Sequence, residues 1–110
     1  MNSIETTTLL ESIHTKDQQA IRDFRAGKID AEKLKEINLD HVSKLFNIIE
    51  VFGYPTIKNT SHTAYKTAIL IVLHSENPEL LEKTASFLRK TSSNDIERGD
   101  LAYIIDKSLV

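Results

Sequence analysis

The stretch Ile69-Leu70-Ile71-Val72-Leu73-His74-Ser75-Glu76-Asn77-Pro78 joins an unbroken apolar run to three polar residues and a proline-containing dipeptide. An apolar run of this kind fits either a buried strand or a buried segment of helix. A strand would have no partner, because the other candidate run, residues 48–52, continues a helical stripe. The segment from Ser61 to about Ser75 also has the usual length of a helix. We therefore predict a helix here that is apolar on all sides and lies at the centre of an all-α bundle.

Helical spacing of apolar residues continues on both sides of this segment, and it predicts a bundle of about five helices. The first helix is expected over Ile4 to Ala26, with Gly27 as its stop. The second is expected from an N-cap at Asp30 to Phe52, with Gly53 as its stop. The fourth is expected to begin at Asn77-Pro78, and the last at Asn94, where Glu97 completes a capping box. Since the chain has 110 residues, we expect one helical domain over residues 1–110.

Composition excludes several classes of function. Fourteen basic and sixteen acidic residues are interspersed and give a net charge of −2, which differs from the basic surface that nucleic acids require. The loop 53–60 is also too long for the turn of a helix-turn-helix motif. The longest apolar run, 68–73, is too short to cross a membrane, and the first residues do not resemble a secretory signal. We therefore expect a cytoplasmic protein with neither a nucleic acid nor a membrane as its partner.

The histidines do not form a metal-binding pattern. No two of them are four residues apart on a predicted helix, and the chain has no cysteine, so we expect no metal and no cofactor. His41 lies on the apolar stripe of the second helix, which also contains Leu34, Ile37, Leu45 and Ile48. We expect its imidazole to be half-buried and hydrogen-bonded rather than a ligand.

His74, in the last turn of the central helix, is the main candidate for catalysis. One interpretation is structural, since a histidine there satisfies carbonyl groups at the negative end of the helix. The other is an acid–base group close to the N–H groups of residues 78–81, with Asp106 as the carboxylate that orients it and Glu76 nearby. Asp106 has its own structural alternative, a solvated carboxylate paired with Lys107 or Arg98.

Several short motifs together resemble a family. These are Gly53-Tyr54-Pro55-Thr56, Leu70-Ile71-Val72, His74-Ser75-Glu76 and the segment 100–107, preceded by Gln19-Ala20-Ile21-Arg22. They are similar to a small bacterial domain family of unknown function whose members read Gly-Trp-Pro-Thr, Gln-His-Ser-Asp or Gln-His-Ala-Asp, Asp-Arg and Tyr-Gly-Thr-Gln. The usual glutamine before the histidine is Leu73 here, the arginine after Asp106 is Lys107, and the chain ends at Val110 before the tail. The resemblance implies a divergent or tail-less member and brings no activity with it.

Two functions follow from these observations. The first is a protein- or peptide-binding module with an apolar patch around Phe52, Tyr54 and Tyr65. The candidate binding residues are Tyr54, Tyr65, Arg22 and Tyr103. The alternative is a small enzyme that uses His74 as its acid–base group, oriented by Asp106. We expect the binding module, and the sequence leaves the oligomeric state open.

Overall fold

A computed structural model of the chain shows five α-helices and, within the residues it describes, no strand. The described residues are 2–75, 77–91 and 95–108, without the side chains of Thr91, Asp95, Asp106, Lys107 and Ser108. The helices are α1 (Ser3–Arg25), α2 (Ala31–Val51), α3 (His62–Ser75), α4 (Pro78–Thr91) and α5 (Asp95–Ser108). The prediction of an all-α protein with about five helices is confirmed. A search of the described helices finds none that combines the length and the apolar character of a membrane span.

Short polar side chains begin four of the helices, as the local sequence predicts. The carboxylate of Asp30 accepts a hydrogen bond from the Lys33 N–H at 2.8 Å and so caps α2. Ser61 Oγ accepts from the Ala64 N–H at 3.1 Å, and Asn77 Oδ1 accepts from the Leu80 N–H at 3.1 Å. These three caps were expected. The cap of α1 is Asn2, whose side chain accepts a hydrogen bond from the Glu5 N–H. The predicted cap of α5, Asn94, lies outside the described residues.

Glycines end the first two helices because the chain there takes a backbone conformation that other residues adopt with strain. Gly27 has a φ of 75° and Gly53 a φ of 107°. After α1 the N–H of Gly27 donates to the Phe24 carbonyl and the N–H of Lys28 donates to the Asp23 carbonyl, which is the Schellman pattern. Both predicted stops are therefore confirmed.

The structure falls into two compact units, residues 1–71 and residues 72–110, and the boundary lies inside α3. Burial of α3 is nearly continuous: between Ala64 and Val72 the side chains of Lys66 and Leu70 are partly accessible and the others are buried. A helix with this burial is surrounded by other parts of the protein, in agreement with the pattern in its sequence. The single domain expected from chain length stays a prediction.

In the first unit α1 packs against α2. The buried side chains of the two helices are mainly aliphatic and follow helical spacing; they include Leu10, Ile13, Ala20, Val42, Leu45 and Ile48. Three polar residues, Thr6, Asp17 and His41, are buried with them. Phe24, in the last turn of α1, is 40% exposed and does not belong to this buried set.

The segment between α2 and α3 is held by its own side chains and by α1. The Thr56 N–H donates to Asn59 Oδ1 at 2.6 Å and the Asn59 N–H donates to Thr56 Oγ1 at 3.0 Å, which is a reciprocal pair. The Asn59 amide also donates to the Tyr54 carbonyl at 3.1 Å. Ser3 Oγ donates to the Asn59 carbonyl, and Ser61 Oγ donates to Glu11 at 3.1 Å. Thr56 of the Gly-Tyr-Pro-Thr motif therefore has a structural role in this segment.

In the second unit α4 packs against α5. The core of the unit includes Leu80, Leu81, Ala85 and Leu88 from α4 and Ile104 from α5, together with the buried polar residues Thr84 and Glu97.

Candidate functional site

A histidine and an aspartate meet in the packed surface between α1 and α2. The Nδ1 atom of His41 lies 3.7 Å from Oδ1 of Asp17, and the two side chains are 3% and 12% exposed. This distance is too long for a hydrogen bond, but it brings an anion close to the imidazole. His41 Nδ1 is fully enclosed and has no hydrogen-bond partner among the described residues. Because buried polar atoms are nearly always hydrogen-bonded, this nitrogen is an exception that needs an explanation.

His41 also lines a cleft of about 450 Å³ on the surface of the first unit. Five lining residues come from α2, at positions 33, 36, 37, 40 and 41, which is the spacing of one helical face. Lys16 of α1 forms the opposite wall, next to Asp17 in sequence. The volume is within the range of small-molecule sites in proteins. The packing of α1 on α2 therefore places a buried imidazole at an open cleft, which we call the α1–α2 cleft.

Two ion pairs lie along the α2 side of the α1–α2 cleft. Lys33 Nζ is 3.6 Å from Glu36 Oε2, and Lys44 Nζ is 3.0 Å from Asp40 Oδ2. The hydrogen bond from Lys44 holds the pKa of the Asp40 carboxyl below its ordinary value, and the charges of Lys44, His41 and Lys16 act in the same direction. Positive charges from both helices thus act on the Asp40 carboxyl, which lines the cleft.

Chemically, the Asp17–His41 pair has the composition of a base and its orienting carboxylate. The residues that line the cleft include no serine, threonine or cysteine that could act as a nucleophile beside it. The site thus contains the buried imidazole of His41, the carboxylate of Asp17 close to it and charged side chains around it. Such an arrangement is suited to recognition of a polar group.

The prediction that His41 is half-buried is wrong, since the ring is buried, and its Nδ1 makes no hydrogen bond to any described residue. The aspartate beside it was missed. A signal was present: Asp17 lies between Ile13 and Ala20 on the apolar stripe of α1, just as His41 interrupts the stripe of α2. Two ionisable residues on facing apolar stripes are candidates for a buried pair.

His74 lies in the last turn of α3, and its side chain is exposed. The N–H groups expected near it are partly used elsewhere: the Leu80 N–H donates to Asn77 Oδ1 and the Leu81 N–H donates to the Asn77 carbonyl. Ser75 Oγ donates to the Val72 carbonyl at 2.6 Å and accepts from the Asn77 N–H at 3.1 Å. Two of these donors therefore serve as the cap of α4 and are not available to an anion.

The two other residues proposed for catalysis cannot be placed beside His74. Glu76 lies outside the described residues, and so does the side chain of Asp106. Whether an imidazole–carboxylate pair forms there stays a prediction.

The candidate binding residues are separated in the structure. Tyr65 is 1% exposed and belongs to the core, so the expectation of an accessible Tyr65 is wrong; it lies on the buried face that also contains Ala64 and Ala68. Tyr54 is partly exposed in the loop after α2. Arg22 is exposed on α1, and its guanidinium donates to Gln19 Oε1 at 3.1 Å. Tyr103, on α5 in the second unit, is 64% exposed.

Large apolar side chains are exposed at six described positions, and one of them, Val51, directly precedes Phe52 of the expected patch. The six are Ile4, Phe24, Leu39, Val51, Ile96 and Tyr103. Ile4 and Phe24 occupy opposite ends of α1, and the last two belong to the second unit. Because Tyr65 is buried, it cannot contribute to an accessible aromatic patch.

Comparisons of the chain with known protein families, with curated proteins and with solved structures gave no match. The resemblance to a small bacterial domain family stays a prediction. Within the part of the chain that the structure describes, no three histidine, aspartate or glutamate side chains come together as metal ligands would.

Proposed function

We propose that this protein is a non-catalytic binding module in which the α1–α2 cleft takes up a polar group of a protein or peptide partner. One observation carries the proposal: the buried His41 lines the cleft, and Asp17 Oδ1 lies 3.7 Å from its Nδ1. Because Nδ1 is enclosed on the side of Asp17, the other ring nitrogen is the atom to which a group in the cleft can bond. A ligand in the cleft thus gives a buried imidazole, with a carboxylate beside it, a polar partner at its second nitrogen.

The composition of the lining supports binding rather than catalysis. Ile37 and the imidazole provide apolar contact, while Lys16, Lys33 and Asp40 provide charge. Pockets that combine apolar contact with a few polar groups fix the orientation of a bound group. A cleft of about 450 Å³ accommodates one side chain or a short segment of a peptide. The predicted location in the cytoplasm is retained as part of this proposal.

The test is to fill the cleft without changing its charge. Ile37→Trp places an indole beside His41, and Leu39→Trp places the same group at a 56% exposed position of α2 outside the lining. Short capped peptides of varied composition are added to ¹⁵N-labelled protein, and the amide shifts are recorded. We expect shifts centred on residues 16, 37, 40 and 41 in the natural protein and in Leu39→Trp, and their loss in Ile37→Trp.

The proposal fails if peptides that bind move amides elsewhere and leave those of the cleft unchanged, or if Ile37→Trp binds as well as Leu39→Trp. Both variants are first compared by circular dichroism, so that loss of binding is separated from loss of fold.

The enzyme alternative, with His74 as acid–base group oriented by Asp106, stays a prediction and is not favoured by any observation on the described residues. Ser75 and Asn77, which follow His74 in the sequence, are hydrogen-bonded within the turn between α3 and α4.

A further inference from the structure

The charges around the α1–α2 cleft are paired except at one position. Glu36 has Lys33 at 3.6 Å, and Asp40 has Lys44 at 3.0 Å. Lys16, on the opposite wall, forms no ion pair with any residue that the structure describes. Lys16 is therefore the lining lysine that has no ion pair among the described residues, although its charge acts on the carboxyl of Asp40.

His41 is the second group available to a ligand. Its Nδ1 lies on the side of Asp17, at 3.7 Å from Oδ1. A carboxylate on that side favours a proton on Nδ1. The other ring nitrogen, Nε2, is then the atom that His41 can offer to the cleft, as an acceptor when the ring is neutral and as a donor when it is protonated.

We infer that the polar group bound in the cleft is a carboxylate, which lies between the Lys16 ammonium and the protonated His41 ring. The inference deepens the proposed function and rests on it. The cleft provides one lysine without an ion pair and one imidazolium, and Asp17 already lies beside the ring. These charges match a group of single negative charge better than a phosphate dianion. The acidic side chain of a peptide supplies such a group, and so does a free organic acid.

The inference predicts that binding is coupled to proton uptake. The ionisable groups around His41 are Asp17 and Lys16 from α1 and Lys33, Glu36, Asp40 and Lys44 from α2. A carboxylate that bonds to the imidazolium takes up a proton together with the ring, so its affinity should rise as the pH falls.

Three matched probes test the charge of the ligand. They are N-acetyl-glutamic acid amide, N-acetyl-glutamine amide and N-acetyl-lysine amide, which share capped termini and differ in side-chain charge. Each is titrated into the ¹⁵N-labelled full chain at about pH 5.5 and about pH 8. We expect the glutamic acid probe to bind most tightly, at the amides of the cleft, and more tightly at the lower pH. Long-range ¹H–¹⁵N spectra should show the His41 ring becoming protonated as the probe binds.

Two lysine variants of equal charge test whether the probe binds in the α1–α2 cleft. Lys16→Gln removes the ammonium of the lining lysine, and Lys35→Gln makes the same change on an exposed residue of α2 outside the lining. Both residues are exposed, so both variants should fold. We expect Lys16→Gln to weaken the glutamic acid probe about two- to fivefold, in keeping with an exposed ion pair, and Lys35→Gln to leave it unchanged.

The outcomes separate the two proposals. If the neutral or the cationic probe binds the cleft as tightly as the acidic one, or if the two lysine variants behave alike, the carboxylate is ruled out while the cleft remains a binding site. If no probe and no peptide moves the cleft amides, the proposed function fails, and this inference fails with it. An acidic peptide that binds more tightly than the free capped amino acid identifies a peptide rather than a small acid as the source.

Discussion

The Nδ1 atom of His41 and the Oδ1 atom of Asp17 lie 3.7 Å apart, in side chains that are 3% and 12% exposed. Each residue interrupts the apolar stripe of its own helix, and the packing of α1 on α2 brings the two interruptions together. A charged aspartate in such a place is costly unless a positive or hydrogen-bonding group is near it. The pair is therefore part of the contact between the helices, and His41 also lines the cleft.

Asp17 and His41 should be energetically coupled. In a double-mutant cycle with Asp17→Asn and His41→Gln, we expect a coupling of about 1–3 kcal/mol in the free energy of unfolding, as for contacting buried pairs. Urea denaturation of the two single variants, the double variant and the natural protein measures this coupling.

A second cycle on Lys33 and Glu36 is the control for this measurement, because that pair is 3.6 Å apart but largely exposed. Its coupling should stay below about 0.5 kcal/mol. Equal coupling in the two cycles would contradict a special role for the buried pair.

The carboxyl of Asp40 should titrate below its ordinary pKa of 3.8, because of the hydrogen bond from Lys44 and the surrounding positive charges. A lowered pKa in the folded state stabilises the protein above the unfolded-state pKa, and this contribution is lost as the pH falls through the folded-state pKa. Carboxyl ¹³C shifts measured against pH report the value directly. Lys44→Gln should raise the pKa of Asp40 toward its ordinary value.

Lys83→Gln is the matched control for Lys44→Gln. It removes the lysine whose hydrogen bond lowers the pKa of Glu79 and leaves Asp40 unchanged. A value for Asp40 that moves equally in both variants would point to long-range charge instead of the Lys44 hydrogen bond.

Glycine-to-alanine substitutions should act with opposite signs at two positions. Gly53 has a φ of 107°, where an alanine is strained although there is space for its methyl group, so Gly53→Ala should destabilise by about 1–2 kcal/mol. Gly99 lies inside α5 with open space around it, so Gly99→Ala should stabilise by about 0.5–1 kcal/mol through helix propensity. Thermal and urea unfolding measure both, and a stabilising Gly53→Ala would contradict the assigned backbone conformation.

The reciprocal bonds of Thr56 and Asn59 should hold the segment between α2 and α3. Thr56→Val keeps the shape of the side chain but removes the hydroxyl that accepts from the Asn59 N–H at 3.0 Å. We expect a loss of about 1 kcal/mol and faster hydrogen exchange at Asn59. Thr63→Val, at an exposed position in the first turn of α3, is the control and should leave exchange at Asn59 unchanged.

Local patterns in the sequence were enough for the helical class, for the caps Asp30, Ser61 and Asn77, and for the stops at Gly27 and Gly53. These features depend on residues within one turn of each other, where a side chain meets a nearby N–H group or a glycine permits a positive φ. The apolar character of α3 is local in the same sense, because a run without a polar face predicts burial wherever the helix packs.

The partner of His41 and the burial of Tyr65 were settled by the tertiary structure. Both depend on which faces of helices come into contact, and a periodic pattern identifies an apolar face without saying which residue of another helix lies opposite it. Asp17 and His41 are far apart in sequence and become neighbours because α1 packs along α2, so their distance of 3.7 Å is a property of that packing. The sequence by itself thus determined the helices and their ends, through contacts within one turn, and the packing of one helix on another decided where the polar cleft lies.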